Sequence, residues 1–281
     1  MNEKTNAVYV TNFGNRATGF KGTVSAISGR TNTVTATIRV GRQPQGIAAN
    51  PKTNTIYVAN SQPGVNTVSV ISGRTSTVTA TIHVPRGSSP TAVAVNPKTG
   101  TVYTANIDAN TVSVISGKAN TVTATIPVGT SPIAVAVNTK TNIIYVVNVG
   151  DFTVSVISGR TGEVTATIRV GIVPEQIAVN PKTNTVYVTS TSDETVSVIS
   201  GRTNTVTATI PVPGPGGVAA NPKTKTIYVS SSGNTVSAIS ARTNTIPAGS
   251  GPFLAANPKT SKIYEANSEH DTVSVLGSCP H

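Results

Sequence analysis

The chain has 281 residues, a formal net charge of +11, 37% hydrophobic and only 4% aromatic residues, and no tryptophan. A core must therefore come from many small β-branched contacts, and the abundant valine and threonine favour strands. Cys279 is the single cysteine, which excludes an intrachain disulfide, and no apolar stretch is long enough for a membrane helix.

One phrase recurs along the whole chain. NPKTNTIYVAN begins at Asn50, and related copies begin near residues 2, 96, 138, 180, 221 and 257. Each copy leads into a run like TVSVIS, and most continue through SGRTN and VTATI into a segment rich in glycine and proline. Repetition with a period near 40 residues is typical of repeat architectures such as propellers.

Each unit contains four short predicted strands in chain order. Strand A is like AVAVN (92–96), strand B like TIYVAN, strand C like TVSVIS and strand D like VTATIPV. All alternate or are rich in β-branched residues, and Asn, Gly, Pro, Ser or Thr bound them. We therefore predict an all-β fold, a seven-bladed β-propeller of four-stranded antiparallel blades that forms a single domain over residues 1–281.

The two ends of the chain depart from this unit. The first copy lacks strand A, the last lacks strand D, and the sixth has a shorter strand around TIPAG (245–249). Blades 1 and 7 are therefore predicted to be incomplete. The missing strands belong to opposite edges of a blade, so the sequence leaves open whether the ring closes within one chain or whether open edges pair with another chain to form an oligomer.

Several phrases carry a family resemblance. YVTN (9–12), YVAN (57–60), the NPKTNT copies and TVSVISGRTNTVTATIPV (195–212) resemble the YVTN family of β-propeller repeats. That family is similar to surface-layer and periplasmic propellers, to lactonase-like seven-bladed propellers and, more remotely, to the streptogramin lyases. The resemblance implies an extracellular or cell-envelope location, although MNEKTNAVYV enters the first strand pattern without a signal peptide. Because these relatives differ in activity, it implies the fold rather than a reaction.

The charges follow the repeat. Of the 21 basic residues, 13 fall in the predicted AB and CD turns, whereas seven of the ten acidic residues fall in the BC and DA loops. These two sets of connections emerge on opposite faces of a propeller, so one face is predicted to be cationic. Such a face attracts a polyanion, for example a cell-wall polymer or nucleic acid. The alternative is that the cations only cap turns and maintain solubility.

The opposite, loop-bearing face is the predicted site for a protein or small-molecule ligand. Its loops depart from the repeat, and they contain all four phenylalanines of the chain. Loops on a rigid scaffold commonly carry binding residues. The candidate ligand-binding residues are Arg16, Phe20, Arg42, Gln45, Glu175, Gln176, Phe253 and Glu269.

Glu265 is the most unusual residue of the repeat, because the other copies carry valine or threonine at this strand position. A carboxylate buried there needs a partner or a raised pKa. His270 follows five residues later, and the pair is our candidate for general acid-base catalysis. The alternative is that the seventh blade is a degenerate repeat whose Glu265 reaches solvent.

No other catalytic or metal-binding pattern is present. His83, His270 and His281 have no ligand spacing, and the glycines belong to turns rather than to a phosphate-binding loop. We therefore predict neither a metal nor a cofactor. The function we expect is a non-catalytic binding propeller of the cell envelope. The alternative is a cofactor-independent lyase or lactonase-like hydrolase with its site on the loop-bearing face.

Overall fold

The computed structural model describes residues 1–15, 19–239, 244–247, 253–267 and 272–277. These residues form seven antiparallel sheets. In 244–247 only the backbone is described. Each sheet follows the chain in simple up-and-down order. The fold is a seven-bladed β-propeller.

The first four blades are built as follows. Blade 1 contains β1 (Ala7–Asn12), β2 (Lys21–Ser28) and β3 (Val34–Arg42). Blade 2 contains β4 (Pro44–Asn50), β5 (Thr55–Asn60), β6 (Thr67–Ser72) and β7 (Thr77–His83). Blade 3 contains β8 (Pro90–Asn96), β9 (Thr101–Asn106), β10 (Thr111–Ser116) and β11 (Thr121–Pro127). Blade 4 contains β12 (Pro132–Asn138), β13 (Ile143–Asn148), β14 (Thr153–Ser158) and β15 (Val164–Arg169).

The last three blades complete the ring. Blade 5 contains β16 (Pro174–Asn180), β17 (Thr185–Ser190), β18 (Thr195–Ser200) and β19 (Thr205–Pro211). Blade 6 contains β20 (Val218–Asn221), β21 (Thr226–Ser231), β22 (Thr235–Ile239) and the short β23 (Asn244–Pro247). Blade 7 contains β24 (Phe253–Ala256), β25 (Ile263–Asn267) and β26 (Thr272–Leu276). Among the described residues, blades 1 and 7 each have three strands, as predicted from the repeat.

The core lies between the blades rather than inside any one of them. The tyrosine face of one strand B packs on the next blade, so that Tyr57 lies in one buried cluster with Val102 and Ile115 of blade 3. The outer strands whose side chains are described are mostly exposed and bury little more than one isoleucine each, such as Ile82. The apolar surface of this aromatic-poor chain is therefore buried by stacking the β-branched faces of neighbouring sheets.

The ring closes within this chain. Val8 and Ile27 of blade 1 form a buried cluster with Tyr264 of blade 7. The side-chain amide of Asn257 donates to Asn6 Oδ1 at 2.8 Å across the same junction. Among the described residues, no strand of blade 1 forms backbone hydrogen bonds with a strand of blade 7, and their sheets are separate. Face packing and side-chain hydrogen bonds replace the shared blade that closes many propellers.

Candidate functional site

The AB and CD turns of each blade meet on one side of the molecule, which we call the turn face. In blade 2, the Gly73 N–H donates to the Asn54 carbonyl at 2.8 Å and joins the two turns. The same bond recurs in blades 1, 3, 4 and 5. The predicted sorting of the connections onto two faces is therefore correct.

The basic residues of these turns are exposed. Of the 13 that the sequence assigned to this face, Arg242 lies outside the described residues and all the others are exposed. The AB turns carry Lys4, Lys52, Lys98, Lys140, Lys182, Lys223 and Lys259, and the CD turns carry Arg30, Arg74, Lys118, Arg160 and Arg202. Glu3 and Glu163 are the carboxylates in the same turns. The turn face therefore carries a ring of solvated positive charge.

A row of asparagine pairs lies beneath these cations and joins neighbouring blades. Each AB turn begins with an asparagine whose side-chain carbonyl caps the turn, as Asn138 does by accepting from the Lys140 N–H at 3.0 Å. Its amide group points to the next blade, where Asn138 donates to Asn184 Oδ1 at 2.6 Å. The other described pairs are Asn2 with Asn54, Asn96 with Asn142 and Asn257 with Asn6. We call this set the asparagine ring.

The asparagine ring is interrupted where the receiving residue is not asparagine. The corresponding acceptor positions hold Gly100, Lys225 and Ser261. Asn180 and Asn221 are the donors whose acceptor positions in the next blade hold Lys225 and Ser261. Their buried Nδ2 atoms have no hydrogen-bond partner. Sequence reasoning missed this ring, although the NPKTN phrase contained the signal: in four of the seven units two asparagines stand four residues apart.

The BC and DA loops form the opposite side, which we call the loop face. In blades 2 to 6 the residue after strand B donates its N–H to a DA-loop carbonyl, as the Thr191 N–H does with Val173 O at 3.1 Å. Some acidic residues of the loop face accept hydrogen bonds from backbone N–H groups of the DA loops. Asp151 accepts from the Thr130 N–H at 2.6 Å, and Asp193 accepts from the Ile172 N–H at 2.7 Å. These carboxylates brace loops instead of collecting at one point.

Among the described residues, no group of three or more His, Cys, Asp or Glu side chains is arranged to hold a metal ion. No helix in the described ranges has the length and apolar character needed to cross a membrane.

The predicted ligand-binding residues that the structure describes lie on the loop face, but on different blades. Arg42 ends β3 and Gln45 lies in β4, both exposed, while Glu175 and Gln176 lie in β16 and are half-buried. Phe253 begins β24 and is exposed. Innermost strands of neighbouring blades lie side by side, so their first residues surround the ring axis. Arg16 and Glu269 lie outside the described residues.

The four phenylalanines do not form a single patch. Phe13 and Phe20 belong to the BC loop of blade 1 and Phe253 to blade 7, which is its neighbour in the ring. The Phe20 carbonyl accepts from the Gln43 N–H at 3.2 Å, which holds the BC loop against the DA loop. Phe152 lies in blade 4, on the far side of the ring.

The start of β16 in blade 5 holds a carboxyl group in an unusual environment. Burial raises the pKa of Glu175 above its ordinary value, against a smaller lowering by the hydroxyl of Thr191, which donates at 3.4 Å. Val173, two residues earlier, has a φ of 54°, a left-handed conformation that is rare for a β-branched residue. The backbone N–H of Gln176 is fixed by Thr189 Oγ1 at 3.1 Å. This segment combines local strain with a partly desolvated acid.

Glu265 is completely buried. It lies in the middle of β25, opposite Leu254 and Ser274 in register, with an exposed fraction of 0%. Strand alternation places it on the same face as Ile263, which packs in a cluster with Tyr228 of blade 6. The alternative expectation that Glu265 reaches solvent is wrong. His270 lies outside the described residues, so the predicted acid-base pair stays a prediction.

Comparisons with known proteins agree with this architecture. A family model described as "Lactonase, 7-bladed beta-propeller" matches residues 21–127, which is less than half of the chain. No curated protein matches the sequence. Among the solved structures, a chain of Kuenenia stuttgartiensis hydrazine synthase is similar with a TM-score of 0.84 and 20% identity, over 99% of this chain and 94% of that chain. The predicted resemblance to lactonase-like seven-bladed propellers is confirmed, and the structural likeness shows the fold alone.

Proposed function

We propose that the protein is a non-catalytic binding propeller that holds an anionic polymer of the cell envelope on its turn face. The observation that carries this proposal is the exposed ring of cations, two from most blades, with only Glu3 and Glu163 among them. A repeated array of single charges matches a ligand whose own negative charge repeats along a chain. It requires no deep pocket, because the attraction comes from many weak contacts that exchange counterions.

A cell-wall polymer suits this face better than single-stranded nucleic acid. Proteins that bind single strands combine cations with aromatic side chains on which bases stack. Here Tyr57, Tyr103 and Tyr145 are buried between blades, and the phenylalanines belong to the loop face. A polyphosphodiester or polycarboxylate polymer needs no stacking partner. The proposed location, outside the cell or in its envelope, rests on the family resemblance.

Two variants with equal charge change test this proposal. The turn-face variant replaces Lys52, Lys98, Lys140 and Lys182 with glutamine. The control variant replaces four exposed arginines elsewhere, Arg39, Arg42, Arg86 and Arg169, with glutamine. Long-chain inorganic polyphosphate is the probe, and its affinity is measured between low and moderate salt.

The turn-face variant is expected to bind more weakly, with a salt dependence whose logarithmic slope is smaller by about three, because about 0.7 counterions are released for each neutralised phosphate of a flexible strand. The control variant is expected to keep most of its affinity. Equal losses in the two variants would show that net charge alone attracts the probe, and the proposal would fail.

A second candidate function is hydrolysis of a lactone, favoured by the family model that matches residues 21–127. Glu265, buried in the middle of β25, would be the acid or base, with His270 as its partner, and the lactone would enter from the loop face. Release of acid from a panel of γ- and δ-lactones at constant pH measures the activity, and Glu265→Gln is the decisive variant. The enzyme hypothesis is supported if the parent chain hydrolyses a lactone and Glu265→Gln abolishes that turnover without changing polyphosphate binding. It fails if the parent chain hydrolyses none of the lactones.

A further inference from the structure

The junction between blades 2 and 3 lacks a side chain that the intact junctions of the asparagine ring contain. At the intact junctions, an asparagine of one blade accepts a hydrogen bond from the side-chain amide of the blade before it. Blade 3 carries Gly100 at this acceptor position. Its φ of 75° is left-handed, like those of Asn142 (57°) and Asn184 (55°). The turn therefore keeps its conformation, and only the accepting side chain is absent.

The donor of this junction is present and points toward blade 3. Asn50 Oδ1 accepts from the Lys52 N–H at 3.0 Å, as Asn138 Oδ1 accepts from the Lys140 N–H at 3.0 Å. The same cap fixes both side chains, so the Asn50 amide is directed to the next blade as the Asn138 amide is. Asn50 has an exposed fraction of 3%, and its Nδ2 donates no hydrogen bond within the described part of the chain. A buried donor without an acceptor is unfavourable.

Space for a ligand atom lies beside Gly100. A Cβ added to Gly100 would meet nothing within 4 Å. In blade 5, a Cβ on the CD-turn residue Gly201 would lie 2.5 Å from Asn184 Oδ1. At the corresponding Gly117 of blade 3, the nearest side-chain atom is the Tyr57 hydroxyl, at 2.7 Å. The position of the asparagine oxygen is therefore not filled by another side chain, and we call this space the Gly100 gap.

The other two interruptions of the asparagine ring differ from the Gly100 gap. Lys225 and Ser261 carry side chains at the acceptor position. The Nδ2 atoms of Asn180 and Asn221 at these junctions are fully buried. A ligand cannot reach either atom unless a side chain moves.

The Gly100 gap lies among positive charges. Lys98 and Lys118 are exposed in the AB and CD turns of blade 3, and Lys52 is exposed in the AB turn of blade 2. The AB and CD turns of these two blades contain no acidic residue. A buried N–H donor beside uncompensated positive charge is an arrangement that favours an anionic oxygen.

We propose that the Gly100 gap binds one phosphate or carboxylate group of the polymer on the turn face. An oxygen of that group accepts from the Asn50 amide, in the place that an asparagine oxygen occupies in the intact junctions. Lys98 and Lys118 supply the compensating charge. This inference rests on the proposed function and assigns it a fixed anchoring point, whereas the remaining cations hold the polymer by charge alone.

Gly100→Asn tests the anchoring point because it fills the gap without changing any charge. Gly162→Asn is the matched control: this turn-face glycine also has a φ of 75°, at the position where Asn120 and Asn204 stand in other blades. Gly100→Asn should weaken polyphosphate binding about tenfold, since a hydrogen bond to a charged group is lost, and should leave the salt dependence unchanged. The control should bind like the parent. Equal affinities of the two variants would overturn the inference and leave the turn-face proposal standing.

Side-chain amide NMR tests the Gly100 gap without the polymer. Inorganic phosphate and acetate are titrated separately into isotope-labelled protein, and the anion that acts at the lower concentration identifies the class of polymer. The Asn50 amide protons should shift saturably, and this shift should disappear in Gly100→Asn. The Asn96 amide, which is bonded to Asn142, should not move. An unmoved Asn50 amide, or equal shifts at Asn50 and Asn96, would overturn the inference whether or not the polymer binds.

Discussion

Replacing Lys225 with asparagine should stabilise the protein by completing one link of the asparagine ring. Lys225 has a φ of 60°, in the left-handed region, where Asn54, Asn142 and Asn184 stand in other blades. The buried Nδ2 of Asn180 has no hydrogen-bond partner. Lys225→Asn supplies an acceptor at the position where Asn184 receives the corresponding bond from Asn138, at 2.6 Å.

The expected gain follows from two contributions. Leaving a buried donor unsatisfied costs about 1–3 kcal/mol, and relieving left-handed backbone at a residue other than glycine or asparagine is worth up to about 1 kcal/mol. We expect Lys225→Asn to raise the free energy of unfolding by about 2 kcal/mol, which raises Tm by about 4–8 °C in a chain of this size. Urea and thermal unfolding followed by circular dichroism measure both quantities.

Two further variants separate these contributions. Lys225→Gly relieves the backbone without adding an acceptor, and it should gain less than Lys225→Asn. In an Asn180→Ala background, Lys225→Asn should lose the part of its gain that comes from the hydrogen bond. The reasoning is refuted if Lys225→Asn is no more stable than Lys225→Gly, or if its full gain persists without the Asn180 amide.

Three other predictions concern packing and protonation. Gly159→Ala should destabilise the protein by about 1–3 kcal/mol in urea unfolding, because its Cβ would lie 2.7 Å from the Asn142 carbonyl oxygen, whereas Gly277→Ala, which meets nothing within 4 Å, should be neutral. Burial raises the pKa of Tyr57 and of five other tyrosines above 10.0, so the native state retains protons that the unfolded state loses, and stability should fall as pH rises above 10. Tyrosinate absorbance should then appear together with loss of circular dichroism; its appearance in the folded protein would contradict this. The pKa of Glu175 is raised above 4.5, so its contribution to stability declines as pH rises, and Glu175→Gln should be more stable than the parent at pH 7 but not at pH 4; an equal difference at both pH values would count against it.

The strands were predictable because the signal for each one is local. Alternating β-branched residues bounded by Asn, Gly or Pro define β6 or β14 without reference to the rest of the chain. The absence of one phrase at each end was enough to predict that blades 1 and 7 have three strands each among the described residues. Sorting the turns onto two faces then required only the up-and-down order of the strands.

Contacts between blades were not predictable in the same way. Asn257 binds Asn6 across the closure of the ring, and nothing local relates two residues so distant in sequence. The first asparagine of each NPKTN phrase also has a sufficient local role in capping its turn, as Asn138 does for Lys140. The second role of these side chains, toward the next blade, appears only when the blades are stacked.

Glu265 shows the limit of the repeat as a guide to a site. Comparison of the copies marked it as an exception, and the structure buries it at 0% exposure, where a carboxylate needs a partner or a raised pKa. The scatter of the loop-face candidates over blades 1, 2, 5 and 7 depends on the order of blades around the axis. Spacing along the chain does not convey which of those loops face one another.

Lysine labelling in the presence of polyphosphate tests the turn-face proposal most directly. The rate of acetylation at each lysine is measured by mass spectrometry with and without the polymer. The turn-face residues Lys52, Lys98, Lys140 and Lys182 are expected to be protected, while the exposed Lys21 at the start of β2, on the loop face, is expected to react at an unchanged rate. Equal protection of Lys21, or protection of Lys21 alone, would contradict the assignment of polyanion binding to the turn face.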